Sequence, residues 1–273
     1  MIRKYFDASL QMSGLTWEVM PSENKPQDPR MKKLDPLLPK LPATFYLMGQ
    51  CGSGKSSILW TLLTQAYVVG KKKKSIFDEA IIYLGTMDAK HSFEKLPIEN
   101  IAIQEEYDPT IFDEYMTDLK KHQMEKLAED KPPLNTLLIF DDFVGGGLMK
   151  KPKPNVAPPI QKLALTSRHE AQTTIFFLSQ IYKNSGFSEP SIRNNITTFV
   201  VSRMSSAELQ KIAEELSEDY EPDEWLEHYE RIMAKPYNFV VLDRRRPIGD
   251  RWTEKFDKPF PPSKKSQRLQ MIR

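Results

Sequence analysis

Residues 43–56 constrain this chain more than any other stretch. Ala43-Thr44-Phe45-Tyr46-Leu47-Met48 is a short apolar run that stops at a glycine, the pattern of a buried strand. Gly49-Gln50-Cys51-Gly52-Ser53-Gly54-Lys55-Ser56 follows and satisfies G-x-x-x-x-G-K-[ST] at every fixed position. Beyond it, Ile58, Leu59, Leu62, Leu63 and Ala66 recur at helical spacing, which predicts a helix over Lys55 to Val69. A glycine-rich loop between strand and helix can turn successive backbone N–H groups into one concavity, and the helix N-terminus adds partial positive charge. Such a loop cradles phosphate oxygens. Lys55 is placed to reach the β- and γ-phosphates of a nucleotide, and Ser56 to offer its hydroxyl to Mg²⁺. The candidate nucleotide-binding residues are Gly49, Gln50, Cys51, Gly52, Ser53, Gly54, Lys55, Ser56 and Ser57. Cys51 reads first as a small space-filling side chain and second as a thiol made reactive by the positive field of the loop.

The rest of the chain alternates strand and helix patterns. Apolar runs at Ala80–Gly85, Ile101–Ile103, Leu137–Phe140, Thr173–Leu178, Thr197–Val201 and Tyr237–Leu242 predict further strands. Helical patterns cover Thr110–Glu129, Ile160–His169, Ala207–Leu216 and Asp223–Ala234. The alternation predicts an α/β protein, a P-loop NTPase whose mainly parallel central sheet carries helices on both faces. The 273 residues suit one large domain over 41–243. Before it, residues 1–40 read as an extended arm, with six prolines between Pro21 and Pro42. After it, residues 244–273 read as a basic, proline-dotted C-terminal tail. No window approaches the roughly 18 apolar residues of a membrane span, so integral membrane association is not expected. The N-terminal residues lack the apolar run of a secretory signal, and Cys51 is the single cysteine, which excludes an intrachain disulfide or a cysteine-based zinc site. Both features predict an intracellular location.

Leu137-Leu138-Ile139-Phe140-Asp141-Asp142 is a buried-strand pattern that ends in two carboxylates. Asp141 is the candidate Mg²⁺ ligand beside the phosphate loop, and Asp142 the candidate water-activating base. Gln180 ends the Thr173–Leu178 run. On a strand beside the metal strand, its amide would position water or sense the γ-phosphate. Arg168 and Arg193 are both candidates for a finger that reaches a neighbouring subunit's γ-phosphate, Arg193 slightly preferred. His169 reads as structural. There is no Asn-Lys-x-Asp signature for guanine.

Taken in order, Gly49 to Ser56, Phe140-Asp141-Asp142, Thr166-Ser167-Arg168-His169, Phe177-Leu178-Ser179-Gln180 and Ile192-Arg193-Asn194-Asn195 resemble a family. They are similar to the genome-packaging ATPases of large DNA viruses and virophages, the poxvirus-type branch of the FtsK/HerA superfamily, over residues 40 to 245. The resemblance implies an ATP- and Mg²⁺-dependent motor that moves double-stranded DNA into a preformed capsid. It also implies capsid or portal-like partners, a homo-oligomeric ring of roughly five or six subunits, and a place in host cytoplasm, viral factory or virion. Many relatives outside the viral branch carry Asp-Glu where this chain has Asp141-Asp142. A FtsK/HerA-type translocase or helicase with another role and, further off, a P-loop small-molecule kinase are the alternatives.

The net charge of +2 argues at first against a nucleic-acid partner. It is a cancellation. Residues 244–273 carry ten Lys/Arg against three acids, while residues 207–230 carry ten acids against one lysine. The basic tail, the Lys71–Lys74 cluster and the Gly145–Lys153 loop are the candidate DNA contacts.

Overall fold

The apolar runs become strands because a sheet covered on both faces buries both sides of every strand. The computed structural model describes residues 11–12, 15–16, 28–85, 90–142, 149–167, 171–183, 189–218 and 220–264. Among these, nine strands form one sheet: β1 (Thr44–Met48), β2 (Glu79–Leu84), β3 (Asn100–Gln104), β4 (Thr136–Asp141), β5 (Thr173–Ser179), β6 (Thr198–Val201), β7 (Val240–Asp243), β8 (Trp252–Glu254) and β9 (Lys258–Pro259). The helices are α1 (Lys55–Thr61), α2 (Lys90–Phe93), α3 (Pro109–Ala128), α4 (Pro159–Thr166), α5 (Pro190–Arg193), α6 (Ser206–Leu216) and α7 (Pro222–Met233).

The spatial order is β9-β8-β7-β6-β1-β5-β4-β2-β3. From β3 to β6 every neighbouring pair is parallel, and β7, β8 and β9 add an antiparallel extension. Alternate side chains along each strand feed two cores. On one face Tyr46, Tyr83, Phe140, Phe177 and Phe199 meet α3, α4, α6 and α7; on the other Phe45, Ile82, Ile139, Phe176 and Leu178 meet α1 and Phe93 of α2. Aromatic rings run across the strands: Tyr83 stacks on Phe140 at 5.0 Å, Phe140 on Phe177 at 5.4 Å, and Phe45 on Phe176 at 4.2 Å on the opposite face. These pairs pin the register, which places Met48 opposite Ser179 and Asp141 opposite Leu178. Three parallel strands therefore end level with one another.

Several sequence expectations are corrected. The helix expected over Lys55–Val69 is α-helical only to Thr61; Leu62–Ala66 forms a π-helical turn, and Val68–Val69 pairs with Lys74–Ser75 as a hairpin. Lys71, Lys72 and Lys73 form that hairpin's exposed turn, and Lys74 opens its second strand, also exposed. The strand expected from Tyr237 begins at Val240, because Tyr237 has φ 57 and lies exposed outside the sheet. Residues 28–40 dock onto the domain rather than trailing from it: Arg30 bridges Asp28 and Asp78, and Tyr67 donates its hydroxyl to the Pro39 carbonyl.

The break expected at residue 244 is also not where the sheet ends. β8 and β9 lie beyond it, and Trp252 is buried against Trp225 with its indole N–H donated to the Leu216 carbonyl. Much of this segment's basic charge is consumed internally. Arg245 and Arg246 face Asp243, Arg251 pairs with Glu218, and Arg244 lies over the Phe199 ring. Burial holds the Arg244 guanidinium below its ordinary pKa. Lys265, Arg268 and Arg273 lie outside the described residues, as do Arg168, His169 and positions 145–148 of the Gly145–Lys153 loop.

Candidate nucleotide site

The site is built where β1, β5 and β4 end. Gly49 leaves β1 with its N–H donated to the Ser179 carbonyl at 3.1 Å, and the Gln50 N–H is donated to the Arg203 carbonyl at 2.9 Å. The loop then turns on Gly52 (φ 71) and Gly54 (φ 92), left-handed conformations that a Cβ would strain. Gly49 is required for another reason: a Cβ there would lie 1.9 Å from Ser202 Oγ and 2.2 Å from Ser53 Oγ. Those two hydroxyls meet at 2.8 Å, and Ser202 Oγ also donates to the Met48 carbonyl, so the loop is stitched to the end of β6.

Lys55 opens α1 and is buried. Its Nζ donates to the Gly49 carbonyl at 2.8 Å and stands 4.0 Å from Asp142 Oδ2. Gln180, one residue past β5, donates its side-chain amide to the same Asp142 oxygen at 3.2 Å. The strand β5 lies between β1 and β4, so the order of the sheet brings loop lysine, acid and amide together. Asp142 has φ 46, an uncommon conformation for a non-glycine residue, and its Oδ1 is buried without a hydrogen-bond partner among the described residues.

Asp141 is almost wholly buried at the end of β4. Burial, then repulsion from Asp142, push its carboxyl up to about 6, and attraction from Lys55 only partly offsets this. Two hard-oxygen donors, the exposed Ser56 hydroxyl and the Asp141 carboxyl, fit Mg²⁺, which binds few protein ligands and keeps waters and phosphate oxygens for the rest. Among the described residues no group of three or more His, Cys, Asp or Glu side chains is placed to hold a metal ion, which that coordination mode does not require. Cys51 and Ser57 are exposed on the loop side of a cleft of about 790 Å³. A separate cavity of about 400 Å³, lined by Phe77, Leu96 and Ile98, lies where β2 and β3 begin, the opposite edge of the sheet from the loop.

Arg193 stands apart. On α5 its guanidinium sits 3.5 Å from Glu215 and over the Tyr182 ring, with no bond to Lys55, Asp142 or Gln180. Sequence reasoning missed Ser202, Arg203 and Gly85. Gly85 donates its N–H to the Asp141 carbonyl, and a Cβ on it would lie 2.5 Å from the Asp142 carbonyl oxygen. None belongs to a local motif; only their closeness in space reveals them.

Fold and loop define a P-loop NTPase architecture with one strand inserted between the phosphate-loop strand and the acid-bearing strand. No protein-family model and no curated protein sequence matches the chain. Among solved structures, the genome packaging NTPase B204 from Sulfolobus turreted icosahedral virus 2, in complex with ATP-gammaS, is similar at 18% identity and TM-score 0.45, over 74% of this chain and 92% of that one. The cytoplasmic domain of EssC is similar at 17% identity and TM-score 0.46, over 66% of this chain. Thermomonospora curvata EccC (ATPases 2 and 3), in complex with a signal sequence peptide, is similar at 14% identity and TM-score 0.47, over 74% of this chain. This chain spans 37% of the EssC chain and 36% of the EccC chain. Among the described residues no helix is long and apolar enough to cross a membrane.

Proposed function

We propose that this chain is an ATP-hydrolysing motor that translocates double-stranded DNA, in genome packaging into a viral capsid. The observation that carries the hydrolytic half is the convergence of Lys55 and Gln180 on one oxygen of Asp142 at the level ends of three parallel strands. In the proposed cycle the loop amides and Lys55 hold the triphosphate. Ser56 and Asp141 would hold Mg²⁺, which would neutralise phosphate charge when bound. Asp142 accepts a proton from the attacking water, and Gln180 orients that water and Asp142. Loss of the γ-phosphate would remove the group that Gln180 reads.

DNA as the cargo is supported by the ordered motif set and by exposed lysines. Lys71 to Lys74 lie exposed on one hairpin, and Lys150, Lys151 and Lys153 are exposed beyond the Gly145 segment. Arg193 would act on a neighbouring subunit's site in a homo-oligomeric ring, released from Glu215 when it does. The test is steady-state ATP turnover of the purified chain with and without linear duplex DNA. Stimulation that fades with added salt is expected. Turnover indifferent to any DNA would overturn the translocation reading and leave the ATPase reading standing.

A further inference from the structure

A nucleotide whose phosphates rest on Gly52 to Ser56 must extend its sugar and base somewhere, and the cavity continuous with the loop is the cleft of about 790 Å³. One wall is Gln50 to Gly54 with the first turns of α1. The opposite wall comes from the segment after α7 and from the turn between β8 and β9: Tyr237, Phe239 and Phe256. Phe239 and Phe256 meet edge to face at 5.6 Å and are half-buried, so that wall is braced. Tyr237 is different. It is 95% exposed and held at φ 57 by a backbone that has left the helix and not yet entered β7. A large aromatic ring kept in solvent at the mouth of a cleft, in a conformation a bulky residue seldom adopts, calls for a partner that covers it. Arg203 and Lys255 add positive charge to the lining, beside Asp257, while Lys235 faces Glu254 at 3.5 Å.

We infer that this cleft is the base-and-ribose subsite of the nucleotide site, with an aromatic base taken by its face against Tyr237 and Phe256. The inference rests on the reading of Gly49 to Ser56 as the triphosphate cradle. A flat base offers a π-face to any aromatic ring, so the contact contributes affinity without edge readout. Asn238, beside Tyr237, gives both amide hydrogens to the Ile232 carbonyl and to Glu254, so it has none left for a base edge.

The test compares ATP with inorganic tripolyphosphate, which has the phosphates and no base, by calorimetric titration of wild type, Tyr237→Ala, Phe256→Leu and Lys55→Ala. Tyr237→Ala removes an exposed side chain, and the fold does not depend on it. It is expected to weaken ATP roughly 10-fold, the scale of one lost stacking contact, while tripolyphosphate affinity stays within about 2-fold. Phe256→Leu keeps apolar volume and should follow the same pattern. ATP affinity unchanged in both variants, or ATP and tripolyphosphate weakened together by Tyr237→Ala, would overturn the subsite. Tripolyphosphate binding that survives Lys55→Ala would instead overturn the phosphate-loop reading itself.

Discussion

Gln180 donates its amide to Asp142 Oδ2 across 3.2 Å, tying the end of β5 to the residue after β4. The same Asp142 oxygen faces Lys55 Nζ at 4.0 Å. In the proposed hydrolytic centre this bond would make Gln180 a positioning residue for the acid as well as a γ-phosphate contact. Gln180→Ala should lower ATP turnover by about 10-fold or more and leave ATP affinity nearly unchanged, measured by steady-state kinetics alongside equilibrium binding. Equal losses in both would assign Gln180 to ground-state binding.

Gly85 sets the position of Asp142 from the other side. A Cβ there meets backbone, the Asp142 carbonyl oxygen at 2.5 Å, and backbone cannot swing away as a side chain can. Gly85→Ala should therefore displace Asp142 and reduce turnover by about 10-fold, since small misplacements of a catalytic group are costly. Thermal unfolding should still be cooperative. Unchanged turnover would show that Asp142 tolerates the shift.

Asp141 gives a pH-dependent stability. Its folded carboxyl is raised to about 6 by burial and by Asp142, above the unfolded value near 3.9. A raised acid binds its proton more tightly when folded, so ionisation costs the folded state. The cost is absent below about pH 4, builds between about pH 4 and 6, and is complete above about pH 6. Asp141→Asn should raise the metal- and nucleotide-free melting temperature at pH 7.5 and leave it close to wild type near pH 4. Thermal melts across that range decide it; a gain of equal size at both ends would contradict the linkage.

The parts of the fold that were legible share one cause. Strands buried on both faces are apolar along their middles, so Phe45–Met48, Leu137–Phe140 and Ile175–Leu178 read as unbroken runs and the acids of Asp141-Asp142 stand out at the end of one. Gln180 was legible for the same reason, as the first polar residue of consequence past β5. β8 and β9 were not, because short antiparallel strands in a basic, proline-dotted segment carry too few positions for a pattern. Trp252 was the available signal there, a large ring that needs burial. α5 has four residues, fewer than two helical turns, and leaves no periodicity. Tyr237 was absorbed into the apolar run of β7, and its positive φ shows only in the backbone. Gly85 and Ser202 owe their roles to neighbours distant in sequence, Asp142 and Ser53, which no local spacing encodes.

The charge pattern was legible in sign and misleading in use. The basic run from Arg244 to Arg251 looked available for a polyanion, yet Asp243 and Glu218 take three of its guanidinium groups and Arg244 covers Phe199. Likewise Glu208 and Glu215 of the acidic segment are engaged by Lys211, Lys183, Arg193 and the backbone N–H and hydroxyl of Tyr182. Local charge runs say what a surface contains, and only the paired structure says what remains for a partner.

The most direct measurement of the central claim, that Asp142 is the base of an ATP-hydrolysing centre, is turnover by Asp142→Asn. Asparagine keeps the shape and an oxygen for Gln180, and loses the basicity. ATP affinity within about 3-fold of wild type and turnover reduced by about 100-fold or more are expected. Turnover within a few-fold of wild type, with affinity intact, would contradict that claim.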